Sequence, residues 1–502
     1  MKKILYYLII TGLLMGCSEN LVQVDPTGPT GDDFFKTQRD LELAVVAAYA
    51  GLTNGSNLWN TDMWGLEVLS DNAYGIADAP YTVWDSYEFA PTNQLITNFY
   101  QHLYIAINRA NLVIINSSGI EGINQADRDN LLGQVHFLRA YEYFMLTLLF
   151  GDVPIVLQPS EQPEGFSLPA SPAEQVYEQV IADLQLAEQL LPESQVETGR
   201  VVKKSATALL AKVYLFGADE LNKAQWYGLA EQKAQEVINS GRFALINDTD
   251  KSPRENLIYL WSLDGQNGSE DIFAVQHYSS GGWSNGNVAG QYPMTLNARA
   301  DRKLNIWGFG WMNHFEAIDA LWDDSDPRKR VTLFFDGDSV ITIGGTYKGN
   351  YSSSTKRGDA RLDSSSPKKF WWAESNDRVV GQSDLDAKVL RYADLLLIHA
   401  EADLMADGSI STAGAESFNK VRNRAGLASI EAGDITRPVI LEERRWELFL
   451  ECHRWFDLMR TRTAEQAFAL IKQYDTNNND NEKNGFVPQR HYKLPYPQAA
   501  LD

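Results

Sequence analysis

Residues 137–157 read FLRAYEYFMLTLLFGDVPIVL, and their pattern decides the fold. Leu131, Val135, Leu138, Tyr141, Met145 and Leu148 recur at steps of three and four, which lines them along one helix face. Gly151 ends that pattern, and Pro154, with fixed φ and no amide proton, cannot extend it. The stretch predicts a core helix over Ala126–Phe150, a firm stop, and a short extended run.

Working outward, the same periodicity predicts further helices. They cover Asp32–Thr53, Ile96–Asn116, a segment capped by Ser171 and running to Leu191, Lys203–Phe216 and Gln225–Ser240. Helices return at Lys388–Met405, Ser411–Ala425 and Arg437–Thr461. Small residues (Ala206, Ala211, Ala230, Ala234) with bulky Tyr214 and Val237 mark a closely packed helix pair that resembles a tetratricopeptide unit, without a clean repeat period; a plain α-hairpin is the alternative and predicts the same local structure. Two regions interrupt the scaffold, Gly55–Asn93 and Arg254–Asp386. Both are rich in Gly, Asn and aromatic residues, and the second holds seven of the thirteen tryptophans. Strand-like runs appear at Ile272–Tyr278 and Val340–Thr346, and the chain ends extended over Tyr492–Pro497. Long irregular inserts between helices are uncommon and often functional, although most aromatic residues in them are core filler.

The N-terminus has the shape of a processing signal. Lys2 and Lys3 precede an apolar run, Ile4–Met15, too short to span a bilayer, and Gly16-Cys17 follows. That junction resembles a bacterial lipobox, which implies cleavage before Cys17 and its acylation, a multi-chain anchor. Acidic Glu19 resembles a surface-export signal. The net charge of −22 argues against nucleic-acid binding, which needs clustered Lys and Arg. The only other cysteine, Cys452, has no partner once Cys17 is lipidated. It reads as a packed thiol on an apolar helix stripe.

Catalytic and metal patterns are incomplete. Gly282-Trp283-Ser284-Asn285-Gly286 fits the G-x-S-x-G elbow of serine hydrolases, but no helix pattern follows it. Glu443, Glu447 and Glu451 share a helix face and could serve as acid, base or ligand. The nearby Arg444, Arg445 and Arg454 favour structural ion pairs instead. The histidines show no ligand spacing, and the acidic run from Asp475 lacks the Gly and Glu of a calcium loop. No catalytic residue, cofactor or metal is expected. Loop Tyr and Trp, each a flat apolar face with a polar tip, remain as the functional signal.

Several stretches, in order along nearly the whole chain, together resemble the SusD/RagB family of Bacteroidetes outer-membrane lipoproteins. They are the lipobox with Asp25-Pro26 and Asp33-Phe34-Phe35, then Phe137-Leu138-Arg139-Ala140 with Phe150-Gly151-Asp152-Val153-Pro154, then Asp326-Pro327-Arg328. Val389-Leu390-Arg391-Tyr392-Ala393-Asp394, Asn419-Lys420-Val421-Arg422, Glu443-Arg444-Arg445-Trp446-Glu447, Arg454-Trp455-Phe456-Asp457-Leu458 and Leu494-Pro495-Tyr496-Pro497 follow. The resemblance implies a mainly α fold: a tetratricopeptide-like helix-pair scaffold with a loop-rich, aromatic ligand-binding face and a few short strands. It divides the chain into a signal peptide (1–16), a lipid-anchored tether (17–31), an N-terminal helical part (32–253) and a C-terminal part (254–502), with 17–502 as one unit. It implies a non-enzymatic, cell-surface glycan-binding lipoprotein of the outer membrane that feeds a SusC-like TonB-dependent transporter. Peptide binding is the alternative, and a lipoprotein glycosidase or esterase the more distant one. By analogy the ligand-binding residues are Asp71, Asn72, Tyr74, Trp307 and Trp311, with Trp84, Trp283 and Arg299 added from loop position.

Overall fold

A computed structural model describes residues 34–53, 59, 62–75, 83–160, 168–278, 311–341, 347–350, 365–371, 383–474 and 483–501. In chain order the elements are α1 (Gln38–Tyr49), α2 (Gly65–Leu69), β1 (Ala73–Gly75), α3 (Gln94–Asn116), α4 (Gln125–Phe150), α5 (Ala173–Leu190), α6 (Lys203–Glu220), α7 (Gln225–Ser240) and α8 (Pro253–Leu260). Next come β2 (Asp271–Val275), β3 (Met312–His314), α9 (Glu316–Leu321), α10 (Pro327–Thr332), β4 (Leu333–Phe335), β5 (Ser339–Ile341), β6 (Tyr347–Asn350), β7 (Ser365–Pro367) and β8 (Ala387–Arg391). The last are α11 (Tyr392–Asp407), α12 (Thr412–Arg424), α13 (Arg437–Glu447), α14 (Arg454–Thr461), α15 (Ala464–Tyr474) and α16 (Pro488–His491).

The scaffold is a run of helices, each packed on the next. α3 packs on α4, α4 on α5, α5 on α6 and α6 on α7; α7 then packs on α11, and α11 on α12. The helical stack therefore continues across the long insertion between α7 and α11. Close approach is built into α6, where a Cβ on Gly217 would lie 2.5 Å from the Trp226 ring. Among the described residues the strands form four separate two-stranded antiparallel ladders, β1–β3, β2–β8, β4–β7 and β5–β6.

The central helix α4 behaves as its pattern predicts. Its whole second half is buried, and Gly151 at φ +82° stops it. The extended run that follows is stitched to the helices beside it. Tyr143 donates its hydroxyl to the Val156 carbonyl at 2.9 Å and accepts from the Val156 amide at 2.7 Å. Tyr104 donates to the Pro154 carbonyl at 2.7 Å. Arg139 spans three helices, gripping Asp183 of α5 with two nitrogens at 2.8 and 2.7 Å and Asn111 of α3 at 2.8 Å. The chain's last described segment closes the same corner. Lys493 donates to the Thr147 and Leu148 carbonyls at the negative end of α4, and Tyr496 donates to the Asp152 carbonyl.

Three boundaries differ from the sequence reading. Ser171 does not cap α5. It pairs through its backbone with Val153, and the Asp152 carboxylate takes the Ala173 amide at 2.8 Å. The run from Lys388 opens as strand β8, and the helix starts only at Tyr392. Arg437–Thr461 is two helices rather than one. Between them Leu450 and Cys452 adopt left-handed backbone (φ +65° and +64°), so Cys452 lies buried in a link, not on a helix stripe.

Tertiary partners account for that break. The Arg391 guanidinium takes the Glu447 carbonyl at 2.7 Å, Lys369 takes the Phe449 carbonyl at 2.7 Å, and the Cys452 amide donates to Glu67 at 2.6 Å. Backbone groups that would otherwise continue the helical ladder are satisfied by other elements.

The glutamates at 443, 447 and 451 are indeed ion-paired, but with partners from elsewhere in the chain. Glu447 meets Arg391, Arg424 and Arg328; Glu451 meets Arg391 and Lys369; Glu443 meets Arg328 and Arg422. Arg444 instead pairs with Asp394 and Asp457, and Lys212 of α6 shares Asp394. Such buried lattices do more to fix how elements sit against one another than to add net stability.

Candidate ligand-binding face

The β1–β3 ladder forms a small platform. Its register sets Gly75 opposite Met312, so the end of β1 lies beside the start of β3. Trp311, half-buried, sits at this edge with its ring 6.1 Å from that of buried Trp64. On the other flank of β3, His314 Nε2 lies 2.8 Å from Ser365 Oγ of β7, and that hydroxyl donates to Asp319 at 2.5 Å. Strand β7 therefore lies next to the same platform. Half-buried Trp371 follows shortly after β7 and packs edge-on to Phe334.

A charged layer beneath holds the platform rigid. Asp71 and Asn72, at the turn from α2 into β1, are both buried. Arg454 grips the two Asp71 oxygens at 2.7 and 2.9 Å, and Arg445 bonds Asn72 Oδ1 at 2.9 Å and the Asp71 carbonyl at 3.0 Å. Burial pushes the Asp71 carboxyl up, but the two guanidinium groups outweigh it and hold the group at about 2. Next to it, Glu67 accepts from Asn72 and from the Cys452 amide. Burial dominates at Glu67 and raises its carboxyl to about 7. Asp85 anchors the far end of β1, accepting the Gly75 amide at 2.6 Å while paired with Lys483 at 2.8 Å.

This geometry relocates four of the residues that the sequence assigned to ligand contact. Asp71 and Asn72 face arginines inside the protein. Tyr74 is buried against Phe315, with ring centroids 5.4 Å apart. Trp84 is fully buried among Phe89, Phe99 and the face of Gly65, and its indole N–H reaches Asn93 at 3.3 Å. In this structure all four support the platform and offer no surface to a ligand. Trp311 is placed at the platform's edge. Trp283, Arg299 and Trp307, the Ser284 elbow and Cys17 lie outside the described residues.

Two aromatic residues absent from the sequence-based assignment stand near the connecting segments: Trp371, and Tyr278 at the end of the β2 run, which is 69% exposed. Both are followed by polar, turn-rich sequence, the one local signal that could have found them. A separate polar cleft of about 430 Å³ lies where residues 195–205 meet Arg242, Phe243 and β2, and none of the predicted residues lines it. No helix among the described residues is long and apolar enough to cross a membrane.

Comparison with known proteins covers both halves of the chain. A model of the SusD family matches residues 272–502, and a second, described as starch-binding associating with outer membrane, matches 27–215. SusD-like protein P2 of Formosa agariphila is 28% identical over 99% of this chain and 96% of its own length. A SusD-like protein of Bacteroides ovatus is 26% identical over 91% of this chain and 82% of its own. Among solved structures, a SusD homolog from Bacteroides thetaiotaomicron superposes with a TM-score of 0.77 at 19% identity, covering 94% of this chain and 96% of that one. Surface glycan-binding protein A from the same organism, in complex with laminarihexaose, gives a TM-score of 0.74 at 20% identity over 93% of this chain and 97% of that one. These structures share the tetratricopeptide-like helical fold.

Proposed function

This chain belongs to the SusD/RagB family, and from that premise we propose that it is a surface lipoprotein that captures an oligosaccharide and passes it to a SusC-like TonB-dependent transporter. The family match across both halves carries the reading. Carbohydrate binding is the family's property, and a structural neighbour holds laminarihexaose. Anchoring at Cys17 would keep the protein on the outer membrane, in line with the second family model's description.

Trp311 and Trp371, together with Trp283, Arg299 and Trp307 from the connecting segment, are the residues we assign to the ligand. Aromatic faces stack on sugar rings with little side-chain entropy to lose, and the platform positions Trp311 at its edge. Binding rather than turnover fits the state of the signature carboxylates. Glu443, Glu447 and Glu451 are buried and neutralised by Arg and Lys, so they are poorly placed to act as acid, base or nucleophile.

Calorimetric titration of the anchorless protein against a panel of soluble plant, host and microbial oligosaccharides tests the reading, together with co-purification of a barrel partner from outer membranes. Saturable binding without product is expected, weakened about tenfold in Trp311→Ala, the loss of roughly 1.4 kcal/mol of stacking. Product release would favour the hydrolase reading, and binding confined to peptides would change the substrate class.

A further inference from the structure

Away from the platform, three potential ligating side chains meet between two scaffold helices. Glu231 is on α7, and His399 and Asp403 stand one turn apart on α11, which packs against it. One ligand atom from each lies within 4.8 Å of the other two. His399 and Asp403 are buried, and Glu231 is half-buried at the rim.

The two buried members are held from behind by the next helix. His399 Nδ1 lies 3.0 Å from Ser417 Oγ. Asp403 accepts the Ser411 amide at 2.6 Å and the Ser411 hydroxyl as well. With the Nδ1 proton given to Ser417, the Nε2 lone pair is available to a cation. Space for the carboxylate is reserved, since a Cβ on Gly414 would lie 2.6 Å from Asp403 Oδ1.

The charge balance of the cluster differs from that of the arginine- and lysine-paired carboxylates. Glu443, Glu447, Glu451 and Asp71 are all answered by Arg or Lys. Among the described residues, Glu231 and Asp403 make no ion pair, although Asp407 adds negative field at Glu231. Lys420, a cation that bears on His399, is exposed on α12. Two carboxylates and an imidazole brought together without a cation leave like charges opposed, which a bound divalent ion would relieve.

We propose that Glu231, His399 and Asp403 bind a zinc ion that clamps α7 to α11. One imidazole nitrogen and two carboxylate oxygens suit Zn²⁺, whereas Ca²⁺ needs six to eight oxygen ligands. Ligand atoms in a tetrahedral zinc shell stand about 3.4 Å apart. Glu231, the rim member, closes the remaining gap by a swing of its side chain, and water takes the fourth position.

Titration of chelator-stripped, full-length mature protein with ZnCl₂, with CaCl₂ in parallel, tests the site. One equivalent of zinc should bind and raise the melting temperature, and calcium at the same concentration should do neither. Glu231→Gln, at the rim, should fold normally yet lose both effects, and Ser417→Ala should weaken zinc binding about tenfold or more. Absence of one-equivalent saturable uptake, or uptake and thermal shift unchanged in Glu231→Gln, would overturn the proposal. If His399→Ala fails to fold, the Glu231→Gln result decides.

Discussion

Asp71 separates two accounts of the platform, because family analogy assigns it to the ligand and the structure assigns it to Arg445 and Arg454. Asn at 71 is close in shape to a protonated aspartic acid, so the proton linkage of Asp71 estimates the cost of Asp71→Asn. Its carboxyl is held at about 2, below the ordinary aspartate value of 3.8. At 1.36 kcal/mol per unit, that is about 2 kcal/mol of stability at neutral pH. Asp71→Ala also removes the acceptors and leaves two guanidinium groups buried without a partner, for about 3–5 kcal/mol. An unfolding entropy near 2.1 cal/mol/K per residue gives about 1 kcal/mol/K for a chain of this size. The melting temperature should therefore fall about 2 °C in Asp71→Asn and about 3–5 °C in Asp71→Ala. The sign with pH follows from a depressed folded-state value. The Asp71 contribution is complete above the unfolded value of about 4 and drains as pH falls toward 2, so wild type and Asp71→Asn should converge in melting temperature in acid. Calorimetric scans at pH 7 and pH 3, with glycan affinity measured well below the melting temperature, provide the assay. If Asp71→Asn melts like wild type yet loses glycan affinity, the residue faces the ligand and the burial argument fails.

Glu67 runs the opposite way. Its carboxyl is raised to about 7, so its contribution is present at low pH and is lost as pH rises from about 4.5 through 7. Glu67→Gln should therefore cost more melting temperature at pH 5 than at pH 8, and an equal cost at both would contradict the buried site. Gly217→Ala places a methyl 2.5 Å from the Trp226 ring and should destabilise by about 1–3 kcal/mol, read by urea denaturation; a neutral result would mean that α6 and α7 are not in close contact. Cys452 is buried and its thiol pushed well above its usual value, chiefly by burial and further by Glu67 and Glu451. Iodoacetamide at pH 8 should leave it unmodified in the native protein and label it in urea, as mass spectrometry would show; rapid native labelling would place it at the surface.

What the sequence determined by itself was the scaffold. Apolar spacing, Gly151 and Pro154 are local chemistry, and α4 with its stop follows from them whatever surrounds it. The helix pairs and the family signature were legible for the same reason. Tertiary structure alone decided where charges and rings point. Glu447 spurns the arginines beside it in sequence for Arg391, Arg424 and Arg328, because buried charges pair across elements, beyond the reach of i, i+4 rules. The same lattice splits Arg437–Thr461 by capturing carbonyls at 447 and 449. Family analogy marked Tyr74, and loop position Trp84, as recognition residues, yet an aromatic ring has the same sequence signature in a loop and in a core. Packing against Phe315 and Phe99 made them structural, and Trp311 remained at the edge.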